Sequence, residues 1–86
     1  MKASIEISLY PLNEDYKPAI KKFIKRLNAY DNLRVVPNGM STQVFGEYDE
    51  LMTIVMKEMR DEFAAEHASM FVFKVAKGDL SDAPEL

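Results

Sequence analysis

Cysteine and tryptophan are absent from this 86-residue chain, histidine occurs once, and glycine occupies only three positions. The lack of cysteine removes a disulfide framework, a thiolate metal site and a cysteine nucleophile together. One histidine, His67, leaves too few nitrogen ligands for a familiar zinc site. Long apolar runs are also missing. The opening segment MKASIEISLY alternates, so it is expected to be neither a signal peptide nor a membrane span, and the cytoplasm is the expected location. An excess of positive charge is lacking too: 11 Lys and Arg stand against 14 Asp and Glu, a net charge of −3. That is the wrong sign for a surface that tracks phosphates, so no nucleic-acid partner is expected. Lys21, Lys22, Lys25 and Arg26 cluster, and the solvated face of a helix accounts for them. What remains, 48% apolar and 29% charged residues, is the composition of an ordinary globular domain. A chain of this length makes one domain, which buries about 60–65% of its unfolded surface.

The pattern divides residues 1–77 into six elements and leaves a polar tail, 78–86 (GDLSDAPEL), expected to be loose. Residues 3–10 alternate, with Ala3, Ile5, Ile7 and Leu9 on one face and Glu6, Ser8 and Tyr10 on the other. Pro11 and Asn13 end this strand. From Tyr16 to Asn28 the period becomes helical through Tyr16, Ile20, Phe23, Ile24 and Leu27. Asp15 is the expected N-cap, with Pro18 in the first turn. Leu33–Val36 reads as a short strand, Pro37-Asn38-Gly39 as a turn and 40–46 as its hairpin partner. Gly46 is expected to end it. A helix from Tyr48 to His67 follows, its apolar stripe formed by Met52, Val55, Met56, Met59 and Phe63. Glu47, Asp49 and Glu50 suit its start, and His67 suits its end. Residues 69–77 form the last strand, with Phe71, Phe73 and Val75 facing the core. The order βαββαβ predicts an α+β, ferredoxin-like sandwich: a four-stranded antiparallel sheet in the order 4-1-3-2 with both helices on one face.

Such a sheet leaves one face uncovered, and its residues decide the function. The expected set mixes Tyr10, Phe45, Met70, Val72 and Val36 with Glu6, Ser8, Ser41 and Gln43. Thr42 and Val44 are assigned to the core. An apolar patch of this size predicts a second subunit over the face. A pocket there, apolar with a few converging polar groups, has the anatomy of a small-molecule site. Glu6 carries two readings: a cross-strand pair with Lys74 or plain exposure, and contact with an exocyclic amine or cationic ring. Tyr10 and Phe45 are suited to stacking on a flat heterocycle.

The stretches ISLYPL and NGMSTQVFGEYDELM resemble the YkoF-type thiamine/hydroxymethylpyrimidine-binding family of the small thiamine-binding-protein superfamily. The similarity spans roughly residues 3–77, and MSTQVFGEYDELM carries most of its specificity. The resemblance implies a ferredoxin-like domain that pairs sheet to sheet, binds thiamine or its pyrimidine precursor, and performs no known catalysis. Some members carry two such domains in tandem, so a single-domain chain implies a homodimer or a dimer of dimers. Carried over by position, the ligand-binding candidates are Ser8, Tyr10, Asn38, Ser41, Thr42 and Gln43, to which the residue reading adds Glu6 and Phe45. Thiamine or hydroxymethylpyrimidine is then a bound ligand and not a catalytic cofactor.

Structural readings compete at each position. Thr42 serves equally as a β-branched strand residue and Asn38-Gly39 as a turn. GEYDELM lacks the alternating oxygen-ligand pattern of a calcium loop and reads as a helix start. The six methionines follow packing stripes. MFVFKV lacks the Gly–aromatic pattern of RNA-binding strands on this fold. No nucleophile–base pair is visible, so a non-catalytic protein is expected. The alternative reading is a structural or regulatory homo-oligomerisation module that binds no thiamine.

Overall fold

Alternation in strand β1 (Lys2–Pro11) builds the core. Ala3, Ile5, Ile7 and Leu9 are 1–7% exposed, and burial of each larger side chain contributes about 1.5–3 kcal/mol. The computed structural model describes residues 1–82. After β1 come α1 (Lys17–Asn28), β2 (Arg34–Pro37), β3 (Thr42–Glu47), α2 (Tyr48–Phe63) and β4 (Ser69–Lys77). The strands form one antiparallel sheet ordered β2-β3-β1-β4. This is the expected ferredoxin-like order, with both helices packed on the face that carries Ile5, Val44 and Phe73. Phe23 and Leu27 of α1 and Leu51 and Val55 of α2 complete the core.

The boundaries differ from the expected ones for identifiable reasons. Tyr16, not Asp15, is the N-cap of α1; it already has helical dihedrals, and no side chain bonds to the open backbone donors. Pro18 does lie in the first turn, where its missing N–H costs nothing. Leu33 precedes β2 and turns into the core, 9% exposed. Gly46 lies within β3 instead of ending it. A side chain there would meet Leu33 Cδ2 at 2.9 Å and the Asn32 carbonyl at 3.2 Å, so Leu33 and the preceding loop would have to shift to admit one. α2 ends at Phe63, and His67 sits beyond it in the turn that feeds β4. Val75 faces the helix side, paired with Ile5, yet is 43% exposed. It lies on an edge strand whose aromatic packing, Phe71 against Phe23 and Phe63, is at the other end.

The buried line of α2 is Leu51, Val55, Glu58 and Glu62, whereas Met56 and Phe63 of the expected stripe are 42% and 54% exposed. Two carboxylates occupy positions that periodicity assigns to apolar residues. Arg26 of α1 makes this tenable: Nε donates to Glu58 Oε1 at 2.7 Å and Nη2 to Glu62 Oε1 at 3.1 Å. The Tyr30 hydroxyl donates to Glu58 Oε2 at 2.7 Å, and His67 Nε2 lies 3.0 Å from Glu62 Oε2. The Arg26 guanidinium also lies over the Phe23 ring. Burial pushes the Glu58 carboxyl up, but bonds from Tyr30 and Arg26 and the charges of Lys57 and Arg26 bring it below its ordinary value.

Arg26→Met therefore leaves two buried carboxylates without their shared cation. The expected loss is about 2–3 kcal/mol, below the range for a fully buried pair because Arg26 is 36% exposed; urea unfolding reads it as a lower midpoint at unchanged slope. The pH dependence has a definite sign. Between the ordinary value of 4.5 and the lower folded value, the unfolded chain holds a proton on Glu58 that the folded chain does not. The contribution of Glu58 is thus complete above pH 4.5 and is lost as pH falls through the folded value. In urea titrations across that window, Glu58→Gln should lose less stability on acidification than the parent chain.

Candidate functional site

At one end of the sheet, β1 runs out of the core between α1 and the β2–β3 turn, and a cleft of about 440 Å³ opens there. Its floor is β1 from Ile7 to Pro11, one wall is Ile20, Phe23 and Ile24 of α1, and the other is the turn from Asn38 to Thr42. Leu12 and Tyr16, from the segment joining β1 to α1, form its rim. The Leu12 amide, bonded to the Ala68 carbonyl at 2.8 Å, fixes that segment to the start of β4.

The turn is held by its own side chains. Asn38 Oδ1 accepts from the amides of Met40 at 2.8 Å and Ser41 at 3.1 Å, an asparagine-nucleated turn. The Asn38 amide bonds the Ser41 carbonyl at 2.9 Å, and Ser8 Oγ donates to the Met40 carbonyl at 3.2 Å. Asn38 and Ser8 thus fix the hairpin tip against β1, a structural role alongside any contact with a ligand. Met40 at the tip is 89% exposed.

Five of the eight residues singled out in the sequence line this cleft: Ser8, Tyr10, Asn38, Ser41 and Thr42. The other three lie elsewhere. Glu6 and Gln43 are register partners on the open face and border a separate hollow of about 260 Å³ with Lys74 and Leu80. Glu6 Oε1 is 3.2 Å from Lys74 Nζ, the cross-strand pair expected, and Glu6 Oε2 accepts from Ser41 Oγ at 3.1 Å. The hydrogen bonds from Lys74 and Ser41 hold the Glu6 carboxyl below its ordinary value, so it is ionised at neutral pH. Ser41 is thereby a link between the cleft and the Glu6 carboxylate.

Phe45 departs furthest from expectation. It lies on the face away from the helices, opposite Ser4, but is only 6% exposed. The segment after β4 folds back beside it: Asp79 and Ser81 share a hollow with Phe45, Arg34 and Lys2. Residues 78–80 are therefore tethered and not loose, while residues 83–86 of the expected loose tail lie outside the described residues.

Periodicity could not have found the apolar half of the site. Ile20, Phe23 and Ile24 read as core residues of α1, and Leu12 and Tyr16 as loop and helix start. The one available signal was the pair of bulky side chains, Leu12 and Tyr16, on either side of a polar run, NED. Among the described residues no charged side chain lines the cleft. It offers hydroxyl, amide and main-chain groups on apolar walls, with Tyr10 and Tyr16 about half exposed at its margin. This suits a small, neutral, partly apolar ring that needs a few directed hydrogen bonds. Among the described residues no three acidic or histidine side chains come together as metal ligands, and no helix is long and apolar enough to cross a membrane.

Neither a protein-family model nor a curated protein matches the chain. Solved structures do. A Streptococcus pneumoniae protein is 26% identical, with a TM-score of 0.81 over 93% of this chain and 90% of that one. A Thermotoga maritima protein described as a candidate thiamine biosynthesis/salvage protein is 20% identical, with a TM-score of 0.79 over 91% and 85%. A Bacillus cereus domain of unknown function is 17% identical, with a TM-score of 0.72 over 98% and 83%. At these identities the likeness establishes the shared ferredoxin-like fold.

Proposed function

We propose that this protein is a non-catalytic binding protein for thiamine or its hydroxymethylpyrimidine moiety, seated in the cleft between α1 and the β2–β3 turn. The observation that carries the reading is the convergence of Ser8, Tyr10, Asn38, Ser41 and Thr42 on one uncharged, mostly apolar cleft. These residues belong to the two stretches that resemble the YkoF-type family, and the Thermotoga maritima neighbour points the same way. An aminopyrimidine matches the donors and acceptors of the cleft and is neutral, as its walls require. The cationic thiazolium of thiamine would extend past Ser41 toward Glu6, whose carboxylate is ionised.

A second reading has its own support. Tyr10, Met70 and Val72 are 48–57% exposed side by side on the open face, and a second copy of the chain is the proposed cover. The oligomerisation-module reading takes this as the whole function.

Calorimetric titration with thiamine and with hydroxymethylpyrimidine separates the two. The binding reading expects saturable heat with a dissociation constant near about 1 μM, some 8 kcal/mol of recognition. Tyr10→Ala should weaken it by about tenfold or more through the lost ring contact. Absence of heat and of thermal stabilisation at millimolar ligand sinks thiamine as the ligand. Val72→Glu, on an exposed site, should give monomers by light scattering if the open face docks a second copy.

A further inference from the structure

Three polar residues that line the cleft, Ser8, Asn38 and Ser41, have each committed part of their hydrogen-bonding capacity within the protein. What remains for a ligand is one-sided. A serine hydroxyl holds a single proton and two acceptor lone pairs. Ser8 Oγ lies 3.2 Å from the Met40 carbonyl, which can only accept, so the Ser8 proton is spent there. Ser41 Oγ lies 3.1 Å from Glu6 Oε2. Lys74 Nζ, 3.2 Å from the other Glu6 oxygen, helps to keep that carboxylate ionised. The carboxylate too can only accept, and the Ser41 proton is spent on it. Both hydroxyls are left as acceptors. Asn38 has the opposite bias. Its Oδ1 accepts from the amides of Met40 and Ser41 at 2.8 and 3.1 Å, which leaves its side-chain N–H groups as donors. The register that sets Glu6 against Gln43 and Ile7 against Thr42 brings Ser8 opposite Ser41 at its next step. Tyr10 and Thr42 also bring hydroxyls to the cleft, but these can turn to donate or accept and so do not discriminate.

We propose that Glu6 is a positioning residue that acts through Ser41, and that with Ser8 and Asn38 it makes the cleft select an amino-substituted ring over the keto ring of the same size. Two acceptors and one donor match an amino group, which offers two N–H, beside a ring nitrogen, which accepts. A keto ring offers a carbonyl oxygen and a single N–H, so one serine is left without a partner. Unpaired polar groups let a site reject a close analogue more strongly than an apolar wall can. The inference rests on the reading that the cleft binds a pyrimidine, and it names the residues that set the preference.

Calorimetric titration of the full chain with hydroxymethylpyrimidine and with its 4-keto analogue, in which oxygen replaces the amino group, reads that preference. The parent chain should favour the amino compound by about tenfold or more. Glu6→Gln keeps the shape but gives Ser41 an amide that accepts or donates, so the ratio should fall to within about threefold. Ser41→Ala should weaken the amino compound and leave the keto compound nearly unchanged. Lys74→Ala removes the other partner of Glu6 but not its bond to Ser41, and should keep the parent preference. Equal affinity of the parent chain for the two compounds overturns the inference and leaves the binding reading standing. A preference that survives in both Glu6→Gln and Ser41→Ala overturns it as well. No heat with either compound at millimolar concentration overturns the binding reading and the inference together.

Discussion

The pairing of β1 on both edges, with β3 and β4, is the constraint from which the rest follows. A strand hydrogen-bonded on both sides cannot slip by one residue without turning Ile5 and Ile7 out of the core and Glu6 into it. Burial of the odd positions therefore fixes where every even position points. Glu6, Ser8 and Tyr10 are presented in a row, and the strand's exit from the core sets the floor of the cleft. The β2–β3 turn, braced by Asn38 and Ser8, and the α1 wall then enclose a volume on the scale of a small heterocycle.

Polarity within the molecule is segregated by what each region must do. The interhelical contact carries buried charge, with one guanidinium serving two carboxylates. Among the described residues the cleft carries none. A buried carboxylate must be paired to offset its desolvation, whereas a ligand entering an uncharged cleft would not have to strip water from an ion. The Arg26–Glu58–Glu62 cluster thus belongs to the positioning of α1, which supplies one wall of the site, and not to the site itself.

Much of the fold was legible because its signals are local. The alternation of residues 3–10 and the helical spacing of Ile20, Phe23, Ile24 and Leu27 each specify one face without knowledge of partners. The buried glutamates were not legible, since their burial depends on Arg26 arriving from another helix. Phe45 was correctly placed on the sheet face away from the helices, yet it is buried, and Asp79 and Ser81, from a segment whose composition suggested looseness, border a hollow beside it. The site was half legible. The polar residues of MSTQ and ISLYPL drew attention as strand residues out of character, and most of them do converge. Glu6 and Gln43 were grouped with them because they share a face, but sharing a face does not place residues in one cavity. The apolar wall from α1 was indistinguishable from core.

Backbone amide chemical shifts recorded while titrating the isotopically labelled protein with hydroxymethylpyrimidine test the account at its centre. Perturbations concentrated in Ser8–Leu12, Tyr16–Ile24 and Asn38–Thr42 are the predicted result, because those segments enclose the cleft. Perturbations centred on Glu6, Gln43 and Lys74, or none at saturating ligand, would contradict it.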